Sequence, residues 1–319
     1  MVQLTFRAMG STILVLVESA DPAAEQALRQ VPAWFATWEA ALSRFQVKSE
    51  LMQLNRQAGK GWVTVSHVLW DVLDVALEAA QATNGLVTPT LLAHLMEAGY
   101  DRDFASLSVD RPSPGTDGWP LHNHPSAHKA TAWRLIERNP AIPAVALPAG
   151  MLLDLGGFAK GWAARQAVQR LTEYGPTLVD AGGDIAVSGP CRDGSPWPIA
   201  VADPREPGKE LALVLLAKGG LATSGRDYRR WRKGADVLHH IIDPRTGKPA
   251  TSDLLSVTVA APTLEKAEAA AKAALILGSE AGLAWLETQP ELAALLVPET
   301  NQAIQTTTWS AVCWKESVL

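Results

Sequence analysis

The chain has 319 residues, 47% hydrophobic and 19% charged, with a formal net charge of −5, enough apolar material for one large domain or two ordinary ones. The acidic balance argues against a general nucleic-acid binder, which carries a basic face, and two cysteines with seven scattered histidines are too few for a Cys/His zinc cluster. With no run of about 20 apolar residues to span a bilayer, and no charged-then-apolar leader in Met-Val-Gln-Leu-Thr-Phe-Arg, a cytoplasmic protein without a membrane span is expected.

Strands are predicted at residues 2–6 and 12–17, on either side of Met9-Gly10-Ser11. Over residues 22–40, Ala24, Leu28, Val31, Phe35 and Trp38 recur three or four apart, the period of one helix face. Ser49 heads a short capped helix through Asn55, and Ser66 caps a longer one that stops at Asn84-Gly85. A second apolar stretch ends at Gly99-Tyr100. Residues 101–130 are polar and rich in proline, glycine and histidine, which predicts a surface excursion. Its His122, His124 and His128 have no cysteine partners and are not read as a metal site. Short strands are expected at 133–136 and 144–147.

Met151-Leu152-Leu153-Asp154-Leu155-Gly156-Gly157-Phe158-Ala159-Lys160-Gly161 then runs from a strand-like segment through a double-glycine turn into a helix expected to begin near Gly161. Amides at a helix start have no internal partner and sit at a positive dipole end, a natural seat for phosphate oxygens. Lys160 adds a charge beside that seat, and Asp154 an acceptor for a polar ligand group or a metal. Neither G-x-G-x-x-G nor G-x-x-x-x-G-K-[ST] occurs, which excludes the two commonest nucleotide devices.

Residues 177–187 read as strand, glycine turn, strand, with Asp180 and Asp184 flanking the turn. Strands at 197–201 and 211–217 are expected to continue the sheet, and Gly219-Gly220 to bend into Leu221-Ala222-Thr223-Ser224-Gly225. A basic stretch follows at 226–233, and then His239-His240-Ile241-Ile242 ending in an Asp-Pro turn. A strand at 255–260, an alanine-rich helix at 263–277 stopped by Gly278, one more helix and a strand near 295–298 complete the pattern. With no internal repeat and no separating linker, residues 1–319 are expected to form a single α+β unit.

Together these pieces resemble the FAD:protein FMN transferase family, the ApbE-like proteins. The matching runs are Met9-Gly10-Ser11-Thr12, Leu42-Ser43-Arg44-Phe45 with Ser49-Glu50-Leu51 and Asn55, and Asp154-Leu155-Gly156-Gly157-Phe158-Ala159-Lys160-Gly161. Asp180-Ala181-Gly182-Gly183-Asp184, Thr223-Ser224-Gly225 and His240-Ile241-Ile242-Asp243-Pro244-Arg245-Thr246-Gly247 follow in order over nearly the whole chain. The resemblance implies mixed or antiparallel sheets flanked by helices, with FAD in a cleft between them. It implies attack by a Thr or Ser hydroxyl of a partner protein on the FMN-side phosphorus of FAD, with release of AMP. By the same resemblance Met9, Phe45, Asp154, Gly156, Gly157, Lys160, Thr223, Ser224 and the Ile242 backbone bind FAD, and His240 is the catalytic base.

One run departs from the family pattern. Where relatives carry Ala-Asp-Ala-x-x-Thr, whose Asp and Thr help hold magnesium, this chain reads Ala267-Glu268-Ala269-Ala270-Ala271-Lys272. The Gly157 carbonyl and Glu268 remain as candidate metal ligands. Two unit charges about 4 Å apart repel by roughly 4 kcal/mol at an effective dielectric of 20, and a divalent ion doubles that, so Lys272 opposes such a site. Two readings follow: the Lys272 ammonium takes the metal's place against the FAD phosphates, or Glu268 and Lys272 form a solvated pair worth about 0.2–0.5 kcal/mol on a helix turned away from the nucleotide. Transfer of FMN to a protein, hydrolysis of FAD to FMN and AMP, and FAD binding without chemistry are the functions these readings leave.

Overall fold

The computed structural model describes residues 1–104, 107, 130–227, 229–234, 236–300 and 302–314, so most of the expected excursion at 101–130, with its three histidines, lies outside the described residues. The chain divides into two compact units, one made of Met1–Trp34, Lys160–Asp227 and Ser252–Leu319, the other of Phe35–Ala159 and Tyr228–Thr251. The α-helices among the described residues are α1 (Pro22–Leu28), α2 (Val31–Leu42), α3 (Glu50–Arg56), α4 (His67–Ala82), α5 (Leu92–Glu97), α6 (Ala159–Leu171), α7 (Leu264–Leu277) and α8 (Ser279–Glu287). None is long and apolar enough to cross a membrane.

The first unit is built on a sheet of β1 (Val2–Ala8), β2 (Ser11–Val17), β3 (Thr177–Ala181), β4 (Ile185–Val187), β5 (Gly219–Gly225), β6 (Leu254–Ala261), β7 (Ala293–Pro298) and β8 (Ile304–Gln305). These strands lie side by side in chain order, every neighbouring pair antiparallel. The β1–β2 turn is Met9-Gly10, with φ of 49° and 69°, the two positive values that a two-residue hairpin turn matching the strand twist requires. Residues 197–202 and 210–216 do not continue this sheet. They form a separate two-stranded sheet, with an isolated bridge from Val214 to Cys313, and the inward alternation of Trp197, Ile199 and Val201 lays the hairpin over the large sheet, against Leu178, Ile185, Leu221 and Leu295, with Trp309 in the same core. A strand apolar on one face makes a covering layer, whereas a central strand of the sheet buries both faces.

Helix α7 packs along β5 and β6. Thr263 caps its start by accepting from the Lys266 amide, and Gly278, at φ 87°, ends it. The approach is close because Gly220 of β5 has no side chain: a Cβ there would overlap the Leu264 backbone.

The helical period over 22–40 is interrupted between α1 and α2. Pro32 lacks the N–H that would bond the Leu28 carbonyl, and its ring crowds that carbonyl, so one continuous helix is replaced by two.

In the second unit the caps sit where the hydroxyls predict them. Ser49 accepts from the Met52 amide and Ser66 from the Leu69 amide, while the Ser66 hydroxyl donates to Glu50 at 2.6 Å. A three-stranded sheet orders Trp62–Thr64, Ala144–Ala146 and Glu137–Asn139. Residues 132–135 form a 3-10 turn and not the expected strand, with Ala132 as the buried residue of the four, so the segment has no alternating face to offer a sheet. The hairpins Arg230–Lys233 with Asp236–His239, and Ile242–Asp243 with Lys248–Pro249, complete the unit.

The strand-like segment before the double glycine belongs to no sheet. Its partner is a side chain: Asn55 accepts from the Leu153 amide at 2.8 Å and donates to the Leu153 carbonyl at 2.9 Å, as a neighbouring strand would. The Asp154 amide donates to the Pro89 carbonyl at 2.8 Å. Gly156 and Gly157 are not among the positive-φ residues. The turn is fixed instead by the Asp154 carboxylate, which accepts from the Gly156 amide at 3.1 Å, and α6 starts at Ala159, two residues before the expected point.

Asn55→Ala leaves the buried Leu153 amide and carbonyl without partners, so a loss of about 2–4 kcal/mol is expected. Urea unfolding checks this; a change inside the error of the measurement would mean that the segment is held by something else.

Candidate functional site

In the first unit the predicted groups gather at one end of the sheet. The Met9-Gly10 turn joins β1 to β2, and β2 pairs with β3 so that Ile13 lies opposite Ala181, beside the Gly182-Gly183 turn. A Cβ on Gly182 would press on Ser11 Oγ. Asp180 accepts from the Gly183 amide at 2.7 Å, while burial, the larger effect, pushes its carboxyl above the usual carboxylate range. Lys160, in the first turn of α6, reaches across this turn, ion-pairs with Asp184 and donates to the Ala181 carbonyl at 3.4 Å. The expected phosphate-seat lysine is thus already oriented by a carboxylate.

Glu268 lies deeper. It is 3% exposed on α7, with its carboxylate where a Cβ on Gly161 of α6 would stand. Gly161 is therefore the residue that makes room for it. Lys272, one helical turn on, places its ammonium 3.7 Å from Glu268 Oε1 with a side chain 22% exposed. The Glu268 carboxyl of this pair is therefore internal, while the Lys272 side chain is partly exposed. Loss of water pushes the Glu268 carboxyl up to about 8, with Lys272 and Lys160 opposing and Asp184 and Glu265 adding to the rise. On β5, Thr223 points to the exposed side and bonds Thr258 Oγ1 at 2.9 Å, whereas Ser224 is buried on the other face. A ligand lying on one face meets only one of these two hydroxyls.

In the second unit, Arg44 is the centre of an aromatic group. Its guanidinium lies 4.3 Å from the ring centroids of both Phe45 and Tyr100, donates to the Tyr100 carbonyl at 2.6 Å and pairs with Asp154 at 3.6 Å. Tyr100 packs on Trp231 at 5.2 Å, and the Ile242 side chain is buried in the same cluster. Phe45 remains 38% exposed, an open ring edge beside a cation. The two adjacent histidines differ sharply. His239 is buried, with Nδ1 accepting from the Ile241 amide at 3.3 Å and Nε2 3.0 Å from the Ala250 carbonyl, which fixes its tautomer and leaves it structural. His240 is half-buried.

The sequence reading missed the roles of Asp184, Arg44, Tyr100 and Gly161. Asp184 and Arg44 stand inside the matched runs, and a lysine or arginine predicted beside a core element was the signal that a carboxylate or aromatic partner was required.

The magnesium that the family pattern implies does not fit α7. Of its two carboxyls, Glu265 is paired with Arg165, while Glu268 is buried and shifted toward the neutral form with an ammonium 3.7 Å away, where a divalent ion needs several charged or carbonyl oxygens. Among the described residues no group of three His, Cys, Asp or Glu side chains is placed to hold a metal.

Because the folded-state value of Glu268, about 8, lies above its ordinary value of 4.5, the stabilisation from its neutral form is complete below pH 4.5 and is lost as pH rises through about 8. Relative to Glu268→Gln, the native protein is expected to lose on the order of a few kcal/mol across that window. Urea midpoints measured at a series of pH values check it, and a difference that stays constant with pH contradicts it.

Comparison with known proteins places the chain as a whole in a family. The family model described as the ApbE family matches residues 9–296. The FAD:protein FMN transferase of Treponema pallidum (strain Nichols) is 33% identical over 304 residues, covering 91% of this chain and 82% of that protein. The one from Klebsiella pneumoniae (strain 342) is 26% identical over 286 residues, covering 86% and 78%. The solved ApbE protein of Thermotoga maritima superposes with a TM-score of 0.81 at 25% identity, covering 98% of this chain and 99% of that one. The flavin transferase ApbE from Vibrio cholerae shares the fold, with a TM-score of 0.78 at 21% identity and 98% of each chain covered. With its α+β, antiparallel architecture and a match running through both units, this chain belongs to the ApbE family.

Proposed function

We propose that this protein is an FAD:protein FMN transferase. The observation that supports the reading is the extent of the family match, residues 9–296, which takes in every group assigned here from Met9 to Lys272.

In this reading Met9, Thr223 and Lys160 contact FAD, with Lys160 held ready by Asp184 for a phosphate oxygen. The Phe45 ring serves for stacking against a flavin or adenine ring, Asp154 for a polar group of FAD, and the Gly156, Gly157 and Ile242 backbones for the remaining contacts. An acceptor Thr or Ser oxygen forms a bond to the FMN-side phosphorus, and the bond from that phosphorus to the bridging oxygen breaks. AMP departs with the bridging oxygen, and FMN remains on the acceptor as a phosphoester. His240 takes the acceptor proton. His239, with both ring nitrogens engaged, is not suited to that task.

The altered α7 favours one rival, an FAD-binding protein that performs no transfer, and water in place of the acceptor gives a second, hydrolysis to FMN and AMP. Incubation with FAD and a Thr- or Ser-bearing acceptor protein separates them. Transfer releases AMP and leaves flavin fluorescence on the acceptor after denaturation, hydrolysis releases AMP without labelling, and a carrier gives neither. His240→Ala is expected to slow transfer about 10²–10⁴-fold while FAD affinity holds. Full activity in that variant removes His240 from the reaction.

A further inference from the structure

The carboxylates around α7 are unequally provided with cations. Asp184 has Lys160, and Glu265 has Arg165 of α6. Among the described residues the ion-pair partner of Glu268 is Lys272, whose ammonium, at 3.7 Å from Oε1, is beyond hydrogen-bond reach of that oxygen and whose side chain is more exposed than the carboxyl it accompanies, 22% against 3%. The side chain is therefore the more solvent-facing member of the pair and carries a positive charge and three donors, and the Lys160 charge acts on the same buried carboxyl. An ammonium of this kind matches phosphate oxygens as a point charge. Among the described residues no carboxyl group around it suits a divalent cation, since Asp184 and Glu265 are paired with Lys160 and Arg165 and Glu268 lies buried beside an ammonium.

We propose that Lys272 takes the place of the divalent cation of the family pattern, so that this protein binds the diphosphate of FAD without any metal ion. The proposal rests on the flavin-transferase reading above and adds the nature of the cation that faces the phosphates. It predicts that FAD is bound equally well with and without magnesium, and that the position of the charge on α7, not its supply from solution, sets the affinity.

The test is an FAD titration, followed by flavin fluorescence, of the full chain in EDTA and again in excess Mg2+, with Mn2+ binding to the FAD-free protein read by electron paramagnetic resonance. The expected result is the same FAD affinity in both buffers, no stoichiometric Mn2+ site, and binding weakened about tenfold or more in Lys272→Met. Glu268→Gln with Lys272→Met removes both charges, leaves no buried carboxylate beside a lost cation, and is expected to show the same weakening with a normal unfolding transition. Glu268→Asp with Lys272→Thr is expected to acquire both a Mn2+ site and FAD binding that EDTA abolishes. Wild-type affinity that collapses in EDTA, a stoichiometric Mn2+ site in the wild type, or undiminished FAD binding by the Glu268→Gln/Lys272→Met protein overturns the proposal and leaves the flavin reading standing. A protein that binds no FAD in either buffer overturns both.

Discussion

The burial of one carboxyl group governs the first unit. Glu268 sits in a layer made mostly of alanine, where α6 and α7 approach closely enough that Gly161 has no space for a side chain. A charge removed from water costs several kcal/mol unless it is compensated, and every ionic neighbour follows from that cost. Lys272 and Lys160 lower it, Asp184 and Glu265 raise it, and the proton that stays on Glu268 to higher pH is the net result. The arrangement is weak as a stabiliser. It leaves two ammonium groups beside buried carboxyls, Lys160 ion-paired with Asp184 and Lys272 3.7 Å from Glu268.

The second unit reaches a comparable result by different means. Its glycine turn is supported from behind by Asn55, which contributes both a donor and an acceptor to a backbone segment 98 residues away in sequence. Arg44 is held by two aromatic faces and a carbonyl before any ligand arrives. Rotamer freedom of an arginine amounts to about 2 kcal/mol, and most of it has already been lost in the folded state. Groups fixed in this way contribute to binding without a further ordering cost.

What the sequence disclosed, and what it did not, divides along the range of the interactions. Ser49, Ser66 and Thr263 are legible as caps because a cap involves only the next three residues, and the two sheet turns at Met9-Gly10 and Gly182-Gly183 are local in the same sense. The break before Pro32 was equally local and was overridden by the apolar period on both sides of it. The hairpin at 197–216 was misplaced because a period of two identifies a half-buried strand but not the layer it covers. Nothing within a window of a few residues reveals that Asn55 stands in for a strand, or that Gly161 exists to admit Glu268. The family runs named candidate positions along the chain, while the burial of Glu268, which decides between a solvated carboxyl and an internal one, is a property of how α6 meets α7.

An ammonium in place of a divalent cation alters the energetics of a diphosphate site in a definite direction. At equal distance the attraction is halved, and the ion no longer withdraws charge by coordination as a P–O bond breaks. In return the charge is covalently held, so no ion has to be captured from solution or partly dehydrated, a step that Mg2+ resists. Ground-state binding is the term least affected, since three donors compensate in part for the smaller charge. Stabilisation of the departing AMP phosphate is the term most affected. On the proposal that Lys272 faces the diphosphate, the protein retains its nucleotide more readily than it turns it over, and the rate of transfer rests on Lys160, Lys272 and the proposed proton acceptor His240.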